Sequence, residues 1–136
     1  QITGIQVEEG TVMTDFEHMA FGQELALCQR YYQQLEGTNR SFNEILAGSF
    51  NTGNELVTNR HLVGLMRAAP SVAISTTMSD YDIEPFDQAP NALSLRHSTT
   101  KEIVINVTSP TSRTVGFYGV LSLHSTGALI TISAEL

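Results

Sequence analysis

The run Asp80-Tyr81-Asp82-Ile83-Glu84 is the densest cluster of chemistry-bearing side chains in the sequence. Acids at alternate positions can converge on a calcium ion when a loop folds around it. A helix-loop-helix calcium site needs glycine at its sixth position and a bidentate glutamate at its twelfth. With Asp80 first, those places hold Pro85 and Asn91. No metal is assigned, and the run reads as a solvated acidic loop. The same acids could form a glycosidase pair, one carboxyl protonated and the other ionised across a sugar bond, but nothing in their spacing supports it.

A binding reading uses the same segment differently. Sugar rings stack their apolar CH faces on aromatic planes, as other flat apolar groups do. Tyr81 and Phe86, beside Asp80 and Asp82, offer stacking faces together with acceptors for hydroxyl groups, so these four residues form the candidate ligand-binding set. Tyr31, Tyr32, Phe117 and Tyr118 are further possible platforms, and there is no tryptophan.

The remaining reactive side chains do not assemble into a motif. His18, His61, His97 and His124 are scattered without a pair at helical ligand spacing, and each reads as structural. Cys28 is the only cysteine, which excludes an internal disulfide framework and a multi-cysteine zinc site. Its place on an apolar helical face makes it a small buried hydrophobe and not a nucleophile. No Gly-x-Ser-x-Gly elbow, His-Glu-x-x-His helix or phosphate-binding glycine loop occurs. The expectation is a non-catalytic domain without a cofactor.

Charge narrows the partners. Fourteen acids against seven bases give a net charge of −7, and Lys101 is the only lysine, so no basic stripe is available to neutralise phosphates. Neither nucleic acid nor an anionic membrane surface is expected as a partner. No apolar run reaches the roughly 18 residues that span a bilayer, so membrane insertion is not expected. The sequons Asn39-Arg40-Ser41 and Asn106-Val107-Thr108 read as chance matches.

These side chains must be positioned by a β-rich scaffold. At 136 residues the chain is long enough to bury roughly two-thirds of its unfolded surface. Only 15% of residues are charged, and Thr, Ser, Asn and Gln supply most of the polar surface, which suits strands with one wet face. Ile2 to Val7 read as a short strand, and Gln1 opens the chain without an initiator methionine, as expected of a fragment. From Phe21 to Gln34 the period changes: Phe21, Leu25, Cys28 and Tyr32 fall on one helical face, and Gly37 supplies a left-handed stop.

Beyond Asn39, about six or seven strands alternate with turn residues. The segments are Ser41 to Phe50, Glu55 to Met66, Ser71 to Met78, Ala92 to His97, Glu102 to Thr108, Thr114 to His124 and Ala128 to Leu136. Pro70 marks a strand start or edge, and Ser79 to Asn91 is the longest irregular loop. In the last strand Ile130, Ile132, Ala134 and Leu136 share a face. The predicted fold is a mainly β, antiparallel jelly-roll-like sandwich with one N-terminal helix. Residues 1–20 form the end of a preceding β domain and a linker, and residues 21–136 form the helix and sandwich.

The run Glu24-Leu25-Ala26-Leu27-Cys28-Gln29-Arg30-Tyr31-Tyr32 resembles a junction in bacteriophage virion proteins. There, a strand of the Gln6-Val7-Glu8 type leads through a Phe-Glu-His segment, here Phe16-Glu17-His18, into a Glu-Leu-x-x-Cys-Gln-Arg-Tyr-Tyr helix and a C-terminal domain. Met66-Arg67-Ala68-Ala69-Pro70 looks like that domain's Met-Arg-x-x-Pro strand start, and Ala134-Glu135-Leu136 like its usual terminus. The matches span nearly the whole chain in order. Asp15 and Met19 depart from it, where relatives often carry proline and arginine.

The resemblance implies a tail-fibre, head-fibre or related appendage tip on the phage particle surface. It implies a homotrimer in contact with other virion proteins, with a host-surface glycan as a further partner, and it carries over no catalytic residue. Leu25, Cys28 and Tyr32 are then expected to fill a seam between helix and sandwich, with Arg30 paired to a carboxylate or carbonyl. A monomeric carbohydrate-binding module is the alternative.

Overall fold

The computed structural model describes residues 11–12, 19–37 and 44–134. The expected strand over Ile2 to Val7, the Phe16-Glu17-His18 segment, the start of the Ser41 strand and the terminal Leu136 lie outside these residues. Within them the chain forms one α-helix, α1 (Phe21–Gln29), and nine strands. These are β1 (Tyr32–Glu36), β2 (Glu44–Thr52), β3 (Glu55–His61), β4 (Ser71–Ile74), β5 (Tyr81–Glu84), β6 (Ala92–Ser98), β7 (Glu102–Thr108), β8 (Tyr118–Leu123) and β9 (Leu129–Ser133).

All pairings are antiparallel, in a three-stranded sheet of order β1-β9-β4 and a six-stranded sheet of order β5-β8-β2-β3-β7-β6. The chain switches sheets between β1 and β2, between β3 and β4, between β4 and β5, and between β8 and β9. β6, at one edge of the larger sheet, comes back into contact with β4. The result is a mainly β, jelly-roll-like sandwich with one helix, as the sequence predicts.

Strand alternation builds the core. In β7, Ile103, Ile105 and Val107 are fully buried between less buried Val104 and Asn106. In β9, Ile130 and Ile132 do the same between Thr131 and Ser133. Leu46, Phe50, Leu56 and Leu121 complete the contact between the sheets, each worth about 1.5–3 kcal/mol when moved from water into such a core. Thr58 is the one hydroxyl inside β3's buried row, and it donates to the Ile105 carbonyl at 3.2 Å. Gly48 is required by close approach, since a Cβ there would drive into the Val57 carbonyl of the neighbouring strand.

Two elements differ from the sequence reading. The helix stops at Gln29 instead of Gln34, and Tyr32 begins β1 opposite Ser133. The aromatic pair Tyr31-Tyr32 suits a strand better than a helix, and the β9 ladder supplies its backbone partners. The segment Ser79 to Asn91 is also less irregular than expected. It contains β5, whose alternation of Tyr81 and Ile83 inward with Asp82 and Glu84 outward reads, in sequence, as an acidic loop.

Candidate functional site

The structure spreads the predicted ligand set Asp80, Tyr81, Asp82 and Phe86 along β5 and its flanks, with Asp80 and Tyr81 at the end near Ser125 and Phe86 at the other end against Phe117, and holds it there by contacts within the chain. Tyr81 is 0% exposed, so it offers no stacking face. Its hydroxyl lies 2.6 Å from Ser75 Oγ, donates to the Leu129 carbonyl at 3.1 Å and accepts from the Leu129 amide at 3.2 Å, tying β5 to the first residue of β9. Asp80 accepts from Ser125 Oγ at 2.5 Å, while the same Ser125 oxygen accepts from the Gly127 amide. A Cβ at Gly127 would meet the Asp80 carboxylate and displace it from Ser125.

The outward acids are also engaged. Asp82 Oδ2 sits 2.8 Å from His124 Nδ1, an ion pair whenever the imidazole is protonated. Burial pushes the Glu84 carboxyl above its ordinary range, and the nearby Asp87 and Asp82 carboxylates add to this while His124 opposes it. Phe86 meets Phe50 edge-on at 6.3 Å and Phe117 at 5.5 Å, with the Arg113 guanidinium 3.8 Å above its ring. The ring is half-buried, with one face held by Arg113. Among the described residues, no group of three or more His, Cys, Asp or Glu side chains is placed to hold a metal ion.

The helix shows the opposite pattern. No residue of α1 is buried. Leu25 is 43% and Tyr32 47% exposed, Cys28 is exposed, and none of them fills a seam within the single chain. The expectation fails because the helix ends before Tyr32 joins the apolar face, and because Gln33, not an apolar side chain, fills the junction. Arg30 is exposed too, and its side chain makes no ion pair or hydrogen bond among the described residues; only its carbonyl is used, accepting from the Arg67 amide at 2.8 Å.

What holds α1 in place is polar. The Gln33 amide donates to the carbonyls of Gln29 at 3.0 Å and Val63 at 2.9 Å, and its oxygen accepts from the Val63 amide at 2.9 Å. Met66, buried at the foot of the following loop, places its sulfur 3.2 Å from the same Gln33 nitrogen. Arg67 lies 5.5 Å from the Tyr31 ring. These bonds frame a cleft of about 370 Å³ between Gln29, Tyr32 and Leu35 on one side and His61, Leu62 and Val63 on the other.

Tyr32 and Val63 line the cleft, and Phe21, Leu25 and Leu27 of α1, Tyr31 after it and Leu65 of the loop are also substantially exposed. These exposed apolar side chains cluster on one short element, its flanking residues and a nearby loop. Gln33 and the 62–67 loop carry no sequence signal for this arrangement, since a glutamine between polar neighbours reads as ordinary surface. No family model matches the chain, and no curated protein or solved structure matches it at a significant level.

Proposed function

We propose that this chain is a virion structural domain, the tip of a phage fibre or related appendage. In this reading it assembles as a homotrimer through the α1 surface and takes part in host-surface attachment. The observation that carries the assembly step is α1 itself: nine residues with three large apolar side chains, Phe21, Leu25 and Leu27, none of them buried by the chain's own sandwich. An isolated helix of nine residues is marginal in water, so an element of this kind gains its stability from whatever it packs against. A second and third copy supply that surface without requiring another component.

The resemblance of the Glu24-to-Tyr32 run to the phage junction supports the same assignment, because it places the motif on the uncovered element. β1, which continues from the helix, is an edge strand of the smaller sheet, and assembly is one way to cover such an edge. The test is the solution mass by light scattering coupled to size exclusion, at two concentrations. A mass three times that of the chain is expected, falling to one chain in Phe21→Ser/Leu25→Ser. A wild-type mass of a single chain at both concentrations overturns the assembly reading.

A further inference from the structure

The outer face of the six-stranded sheet carries two β-bulges, and both turn a polar side chain into the same groove. In β2 the register shifts between Phe50 and Thr52, leaving Asn51 as the extra residue. In β6 it shifts between Leu95 and His97, leaving Arg96. Bulges of this kind re-aim side chains and concentrate beside functional sites. Asn51 and Arg96 both line a groove of about 490 Å³ whose other walls include Val57, Val115 and Gly116.

A connected row of planar polar groups runs along this face. Arg96 Nη1 donates to Asn106 Oδ1 at 3.4 Å, Asn106 Nδ2 donates to Glu55 Oε1 at 2.7 Å, and Asn51 Nδ2 donates to Glu55 Oε2 at 3.4 Å. Asn106 stands directly across from Val57 in the β3–β7 ladder, so the row and the valine share one face. Glu55 fixes both amides in place. Among the described residues, Asn51 Oδ1 accepts no hydrogen bond and the Arg96 guanidinium makes only the one to Asn106.

We infer that this groove is a binding site for a neutral saccharide. Asn51 lines the groove with an Oδ1 that accepts no bond among the described residues and with the second hydrogen of its amide, the acceptor and donor that a hydroxyl needs, since it both gives and takes a hydrogen bond. Val57 and the 64%-exposed Val115 provide an apolar wall for the CH face of a sugar ring. The guanidinium and the carboxylate stand in one row and offset each other, so the groove favours neither an anion nor a cation. A phosphate-bearing ligand would meet Glu55 at the centre of the row. Gly116, with φ of +84°, shapes the rim in a conformation that strains other residues.

The assignment deepens the attachment half of the proposed function and shares no element with the α1 surface, so the two fail separately. The test is a titration of the isotope-labelled full chain with maltose, lactose, N,N′-diacetylchitobiose and, as the charged probe, sialyllactose, followed by NMR, with the mass measured on the same samples. At least one neutral disaccharide should shift the Asn51 and Asn106 side-chain amides and the Val57 and Val115 methyl groups. Asn51→Ala should weaken that binding about tenfold or more. Arg96→Gln, on the exposed edge strand, is the second variant, expected to weaken binding with an unchanged melt. No shift by any neutral sugar at about 10 mM, shifts confined to residues 80–86, or tighter binding of sialyllactose than of lactose overturns the assignment. A single-chain mass with the expected shifts removes only the assembly reading.

Discussion

Strand β5 and helix α1 are both short, and both have an aromatic residue at one end, yet they are held by unlike means. β5 enters the sandwich with Tyr81 at 0% exposure and locks its hydroxyl onto β9, so its place is set by burial and by bonds across the two sheets. α1 begins with Phe21 at 78% exposure and is tethered by its chain connection and the Gln33 amide. The contrast teaches that aromatic residues in one small domain can serve two separate economies of apolar surface. One is closed within the chain, and the other is left open at its surface.

The contrast predicts a graded set of responses. Tyr81→Ala removes a fully buried ring and should cost about 3–5 kcal/mol in urea unfolding, a large share of a typical domain's stability. Tyr81→Phe keeps the ring and removes the hydroxyl's bonds, while Ser75 and Leu129 remain bonded to each other, and should cost about 0.5–1.5 kcal/mol by the same measurement. If β5 tolerated either change without loss, its role as a pin would be wrong.

The helix should respond through assembly alone. In Phe21→Ser/Leu25→Ser the melting temperature should lose its dependence on protein concentration, while the intrinsic stability of the single chain moves by no more than about 0.5 kcal/mol. A double variant that unfolds the single chain would place α1 in the same class as β5. Arg30→Ala should shift the single-chain melt by less than about 0.5 kcal/mol, because the exposed guanidinium holds no partner among the described residues. A loss well above that would reveal a tether the helix lacks here.

The smallest effect concerns Glu84, at the outer face of β5. Its carboxyl is held above the ordinary range, so the folded chain keeps a proton that the unfolded chain has already released. The folded state binds more protons across that window, and stability therefore falls as pH rises through it. Glu84→Gln should flatten this dependence, with a small gain over the wild type at neutral pH that vanishes below about pH 4. Urea midpoints measured between acid and neutral pH check the sign, and an equal difference at every pH would assign the effect to something other than the proton.

Much of the sandwich was legible because its strands bury alternate residues. Every one of the seven segments predicted beyond Asn39 contains a strand, and the Ile130, Ile132, Ala134 row faces the core. The two strands that escaped notice have competing signals. β1 carries the tail of an apolar stripe with helical spacing, and β5 alternates acids with apolar residues, which looks like a loop when the acids are counted first. The candidate ligand set misled for the same reason: Tyr81 in sequence is flanked by aspartates, and only the pleat reveals that it points the other way. The bulges at Asn51 and Arg96 could not be read at all, since a register shift is a property of two strands and not of either one.

Strand β9 sits at the centre of the smaller sheet, between β1 and β4, and its partners in β1 precede it by about a hundred residues. During synthesis β1 and β4 therefore leave the ribosome without the strand that joins them, and the smaller sheet closes only once residues 129–133 have emerged. Long-range pairings of this kind fold slowly and expose strand edges while they wait. A premature stop ahead of Leu129 would leave a chain with two orphaned strands and a six-stranded sheet bare on its inner face, a species for proteolysis and not for incorporation into any assembly.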